Sequence, residues 1–197
     1  MKKIFLIVAT SLLSLAAVAQ PKFAHVNFAE LVQLMPEADA ARAALDASNK
    51  EIQETYSAMV EEYQTKYTAY QQKASTWTPA IRESKEKELQ GIVTRIQEFE
   101  QSIQTDLQQQ QQTLMAPIQK KASEVVNTLA KEGGYIYVFD VNTALYIDNA
   151  QSVDLTPAAR KMLGIPEGRT LESLQQEMAA KAAAEQQQAA QGQPAGE

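Results

Sequence analysis

The chain has 197 residues, a mass of 21.7 kDa, a formal charge of −6 and a pI near 5.0. With no cysteine and one histidine, disulfides, thiolate zinc sites, cysteine nucleophiles and multi-histidine metal centres are ruled out. Seven glycines and seven prolines are too few for a glycine-loop nucleotide binder or a turn-rich β protein, the acidic balance argues against a nucleic-acid partner, and 31 alanines within the 45% hydrophobic share leave large apolar side chains sparse.

Met1-Lys2-Lys3 is a short basic start, and Ile4 to Val18 is an apolar run broken only by Thr10, Ser11 and Ser14. Ala17-Val18-Ala19 fits the small-x-small rule for cleavage before Gln20, so residues 1–19 read as a secretory signal peptide. Its loss removes two lysines and leaves a formal charge of −8 (16 basic against 24 acidic residues). The basic start and Ala-x-Ala end suggest a bacterium, and the expected compartment is the periplasm. No later stretch approaches the ~18 continuous apolar residues of a membrane span.

Lys22 to Phe28 (KFAHVNF) alternates apolar positions and reads as a strand, with Ala24, Val26 and Phe28 on one face and Phe23, His25 and Asn27 on the other. The lone His25 has no second ligand to join it and reads as structural. From Gln20 to Gly133 only Gly91 interrupts a glycine-free stretch, which points to long helices. Pro36, followed by Glu37 and Asp39, suits a helix start. From there Leu45, Ile52, Tyr56, Met59/Val60, Tyr63, Tyr67 and Tyr70 form one apolar stripe in steps of three and four. Thr78-Pro79 predicts a second helix start after a break at Ser75–Thr78. Its stripe runs from Ile81 through Leu89, Ile92/Val93, Ile96, Phe99 and Ile103 to Leu129, and Gly133-Gly134 ends it. The two helices, 37–75 and 79–131, are expected to extend ~58 and ~80 Å, with a kink at Pro117.

After the glycines the period switches to two. Tyr135 to Val141 (YIYVFDV) reads as a strand, and Ala144 to Asp148 (ALYID) as its return partner across an Asn142-Thr143 turn. Leu155-Thr156-Pro157-Ala158 opens a short helix to Met162 or Leu163, stopped by Gly164 and Pro166. Residues from Arg169 on are expected to begin as a helix at Leu171, Leu174 and Met178, then decay into a disordered Ala/Gln tail over the last ten to fifteen residues. The fold class is therefore α+β, mostly α: a long antiparallel helical hairpin, a coiled-coil arm, on a small β body completed by oligomerisation. The boundaries are 1–19 for the signal peptide, 20–35 with 132–165 for the body, 36–131 for the arm and 166–197 for the tail.

The seam of an ordinary coiled coil is aliphatic. Here the outer first helix carries Met59, Tyr63, Tyr67 and Tyr70, with Trp77 at the predicted tip. Such side chains offer broad apolar faces with polar handles, or adaptable thioethers, and suit promiscuous contact with apolar segments. The alternative is that the tyrosines are seam residues packing on Ile96, Phe99 and Ile103. Between 50 and 131 there are ten basic and eleven acidic side chains, so the arm is nearly neutral. No nucleophile elbow, phosphate loop, metal-helix motif or calcium loop is present, so no enzyme activity and no cofactor are expected.

Three places, in this order, resemble the OmpH-like family: the strand KFAHVNF, the segment from Ala116 to Asp148 (APIQKKASEVVNTLAKEGGYIYVFDVNTALYID), and the closing VDLTPAARKML (Val153 to Leu163). The resemblance covers about 22–163. It implies a periplasmic homotrimer whose β body holds three helical hairpins around a cavity. It also implies an ATP-independent holdase that binds unfolded outer-membrane proteins before their insertion. Phe23, Val26, Phe28, Ile136, Val138 and Phe139 would belong to the oligomerising body, and the family supplies no catalytic residues. The acidic charge and nearly neutral arm depart from the basic character of the family's well-known member and leave contact with anionic membranes open. A second reading of the residues is a periplasmic coiled-coil spacer or adaptor bridging envelope components.

Overall fold

The computed structural model describes residues 21–191, with side chains to 187; the expected signal peptide and the last six residues lie outside the described residues. The elements are β1 (Lys22–Val26), α1 (Phe28–Leu34), α2 (Pro36–Lys73), a 3-10 turn (Ala74–Thr76), α3 (Pro79–Gly133), β2 (Tyr135–Asp140), β3 (Ser152–Asp154), α4 (Thr156–Met162) and α5 (Leu171–Gln191). The fold class is α+β, mostly α, as the sequence predicts. The chain divides into two compact units: residues up to Leu31 with Ala122–Pro166, and Val32–Lys121 with the residues from Glu167 onward.

The first unit holds the sheet, ordered β2-β1-β3 with both pairings parallel. Phe23 lies beside Tyr137 and Ser152, and His25 beside Phe139 and Asp154. The expected strand at 22–28 stops two residues early because Asn27 caps a helix. Its Oδ1 accepts from the Glu30 backbone N–H at 3.1 Å, and its Nδ2 donates to Glu30 Oε2 at 3.2 Å. Phe28 is consequently the first residue of α1, not a strand residue. The expected return strand at 144–148 is also corrected. That segment is irregular, and the third strand is 152–154, parallel to β1. A two-residue turn can join only antiparallel neighbours; a parallel third strand on the far edge of β1 needs a longer crossover, and 141–151 is that crossover.

Ala24, Val26, Leu31, Ala122, Val126, Leu155, Ala159, Leu163 and Ile165 are buried in this unit, together with His25 and Thr156. The two buried polar side chains are satisfied. His25 Nδ1 lies 2.9 Å from Ser152 Oγ, and Thr156 Oγ1 accepts from the Asn27 backbone N–H at 2.9 Å. Arg160 reaches Glu30 at 2.5 Å, both largely buried, and ties α4 to α1. The α3–β2 junction depends on glycine. A Cβ on Gly133 would lie 2.1 Å from the Tyr135 ring, and Gly134 has φ +67°.

The second unit holds most of the helical hairpin. Met35 is extended (φ −61°, ψ 142°), as the residue before proline prefers, so α1 ends and α2 starts at Pro36. Thr78 Oγ1 accepts from the Ile81 backbone N–H at 3.4 Å, the expected cap of α3. α3 continues through Pro117 without ending. α5 is helical as far as Gln191, so the early part of the stretch expected to be disordered is helix. Buried positions in this unit are Val32, Leu34, Met35, Ala38, Ala41, Ile92, Ile118 and Leu174.

Candidate functional site

Cross-helix bonds fix the hairpin's register. Tyr70 donates to Glu86, Lys66 to Glu88, Arg95 to Glu62 (2.9 Å), Tyr56 to Glu100 and Lys121 to Glu37. As the α2 positions descend from 70 to 37, the α3 positions ascend from 86 to 121 by a nearly equal count, so the two helices run antiparallel without a register slip. These contacts leave an electrostatic trace. Hydrogen bonds from Lys66, then Lys85, hold the Glu88 carboxyl down at about 2. The same Glu88 contact raises Lys66, and the carboxylates of Glu100 and Glu86 raise the phenols of Tyr56 and Tyr70.

Between Ala41 and Ile118 the only buried residue among those described is Ile92. The outer arm therefore has almost no closed core; Tyr67 is exposed, and Tyr56, Tyr63, Tyr70, Trp77 and Phe99 are half-buried. Tyr63, Tyr67 and Tyr70 line one groove of about 440 Å³ with Leu89 and Val93 of α3. The Tyr63 and Tyr67 rings stack with centroids 5.7 Å apart. Tyr67 is 42% exposed and Val93 37% exposed. Of the five predicted contact residues, these three tyrosines are brought together. Trp77 meets Tyr70 edge-on at 5.9 Å but lines a separate hollow with Lys66, Lys73 and Lys85. Met59 is half-buried and lines neither. Val93 is the groove residue that the sequence reading did not single out. Ile92 and Val93 shared one position in the predicted stripe; the helix turns ~100° between them, so Ile92 takes the seam and Val93 faces the groove.

A second apolar surface lies on the first unit. The Phe23 and Tyr137 rings are parallel with centroids 6.4 Å apart, and Tyr137 meets Phe139 at 5.9 Å. Ile136, Tyr137 and Phe139 are each about half exposed, and Leu145 and Tyr146 almost wholly so. Phe23, Phe139, Leu145, Tyr146 and His25 border a hollow of about 630 Å³. Of the residues expected on an oligomerising face, Ile136 and Phe139 are exposed, and Phe23 and Val138 are half-buried. Val26 is buried inside the unit, and Phe28 is half-buried at the start of α1. Tyr137, absent from the expected set, is the most exposed aromatic of the strands; alternation along β2 from Phe139 could have found it.

Among the described residues no cluster of three or more histidines and carboxylates could hold a metal ion, and no helix is long and apolar enough to cross a membrane. No curated protein matches the chain. One of six matching solved chains is a candidate outer membrane chaperone (OmpH-like) from Caulobacter crescentus CB15. It superposes with a TM-score of 0.65 at 15% identity, over 74% of this chain and 85% of that one, which establishes a shared fold. The family model described as outer membrane protein (OmpH-like) matches residues 22–163, and the chain accordingly belongs to the OmpH-like family.

Proposed function

We propose that this protein is an ATP-independent holdase chaperone of the periplasm, exported by cleavage after Ala19, that binds unfolded outer-membrane proteins and prevents their aggregation before insertion. Family membership supports a chaperone role. What supports the finer reading is the groove lined by Tyr63, Tyr67 and Tyr70, in which Tyr67 is exposed and Tyr63 and Tyr70 are half-buried beside it. Apolar segments of an unfolded client would lie in this groove, with Met59 and Trp77 extending the contact. Each contact is weak, so the client leaves when the bilayer offers deeper burial.

The working form is a homotrimer joined through the sheet unit. Phe23, Ile136, Val138 and Phe139 supply its apolar surface, Tyr137 adds to it, and Val26 and Phe28 belong to the same body. Three arms around one client raise effective concentration, so modest affinity per arm suffices. Replacing Met59, Tyr63, Tyr67 and Tyr70 with serine is expected to impair protection of an unfolded β-barrel protein from aggregation, measured by light scattering. Full protection by trimers carrying the four serines would refute the arm-contact mechanism. Co-purification distinguishes the spacer or adaptor reading, which predicts one folded stoichiometric partner in place of many outer-membrane precursors.

A further inference from the structure

The helix α5 lies wholly beyond the family-matched residues, yet it is docked on the start of α2. Two ion pairs, one from Arg169 just before the helix, and one buried leucine hold it. Arg169 Nη2 donates to Asp39 Oδ1 at 2.6 Å, Leu174 is 5% exposed, and Lys181 donates to Asp46. The fit is incomplete. A groove of about 520 Å³ remains between the helices, with Leu45 of α2 and Met178 and Ala182 of α5 among its lining, and Met178 is 53% exposed. One buried leucine between two partly exposed ion pairs makes a shallow attachment.

The α2 side of this contact has a definite chemistry. Asp39 and Asp46 stand two helical turns apart on one face, with Ala43 between them and Leu45 beside them. Arg42 of α2 also lines the groove and shares Asp39 with Arg169, whereas Asp46 bonds Lys181. Such a face takes an apolar segment bearing a cation at each end, which is what α5 and the Arg169 just before it present with Arg169, Leu174 and Lys181. We propose that this face of α2 is a second polypeptide-binding surface, occupied at rest by the chain's own α5 and yielded to client segments whose apolar core is flanked by lysine or arginine. The proposal rests on the chaperone reading and names one class of segment that the chaperone would hold.

The test uses the full chain and two fluorescent peptides of one apolar core, one with lysine ends and one with glutamate ends. Leu174→Ser removes the anchor of α5 and leaves α2 intact. It is expected to tighten binding of the lysine-ended peptide about tenfold, the factor by which a helix docked nine times in ten depresses apparent affinity. The glutamate-ended peptide should show no gain, and a synthetic peptide of residues 169–191 added in trans should reverse the gain. Asp46→Lys also releases α5 but spoils the surface, so it should give no tightening. Equal affinity of the parent chain and Leu174→Ser for the lysine-ended peptide, or an equal gain for both peptides, overturns the proposal. If both chains still protect an unfolded barrel protein, the chaperone reading stands without it; if neither does, that reading fails too.

Discussion

Ile92 offers the sharpest test of how the arm is held. It is 2% exposed, while its neighbour Val93 is 37% exposed, and no other described residue between Ala41 and Ile118 is buried. The cross-helix ion pairs are solvent-exposed and screened, so they set register more than stability. Local stability of the outer hairpin should therefore concentrate on one side chain. Ile92→Ala removes buried methyl and methylene groups at a cost of about 2–5 kcal/mol. At about 1.4 kcal/mol per tenfold, amides around 60–70 and 86–97 should exchange with solvent between about thirty and a few thousand times faster. Val93→Ala, one residue away, should change them about fivefold at most. Hydrogen exchange read by mass spectrometry measures both, and the sheet unit should keep its protection in each variant. Comparable effects of the two substitutions, or loss of protection spread evenly over the chain, would sink the claim that Ile92 is the single closure of the outer arm.

Further outcomes follow from other contacts. Gly133→Ala drives a Cβ into the Tyr135 ring and should cost about 1–3 kcal/mol in thermal melting, and Gly134→Ala, at φ +67°, about 1–2 kcal/mol. The Glu88 carboxyl titrates at about 2 against an ordinary 4.5, so the stabilisation it gives is complete above pH 4.5 and fades as pH falls toward 2. NMR titration of Glu88 should show this, and Lys66→Met should move its midpoint upward. Tyr56 and Tyr70 ionise above the usual 10, so their contribution is complete below pH 10 and is lost as pH rises past their own midpoints. Ultraviolet titration should show late tyrosinate formation, and Glu86→Gln should bring Tyr70 earlier.

The long helices were legible because their signals are local. Pro36 and Thr78-Pro79 mark starts, Gly133-Gly134 marks an end, and the apolar period of three to four runs between them. α1 was missed although Asn27 and Glu30 stand at capping-box spacing, because the alternation of KFAHVNF extends through Phe28 and masks the cap. The third strand was misplaced because ALYID has better strand composition than Ser152–Asp154, and only pairing with the far edge of β1 makes those three residues a strand. α5 outran its expected length because alanine and glutamine propagate a helix once Leu174 anchors it. Which tyrosine faces lie open was not readable, since spacing gives the stripe but not the depth at which the partner helix sits.

The central strand of the sheet also sets an order of events. β1 opens the described chain, yet one neighbour arrives at Tyr135 and the other at Ser152, and even the Lys22 bond to the Gly133 carbonyl spans 111 residues of sequence. Helical turns can form early from near neighbours, while the strand stays single until the distant C-terminal third reaches it. A polypeptide emerging end-first from a secretion pore would thus complete its sheet last, remaining threadable for nearly the whole passage.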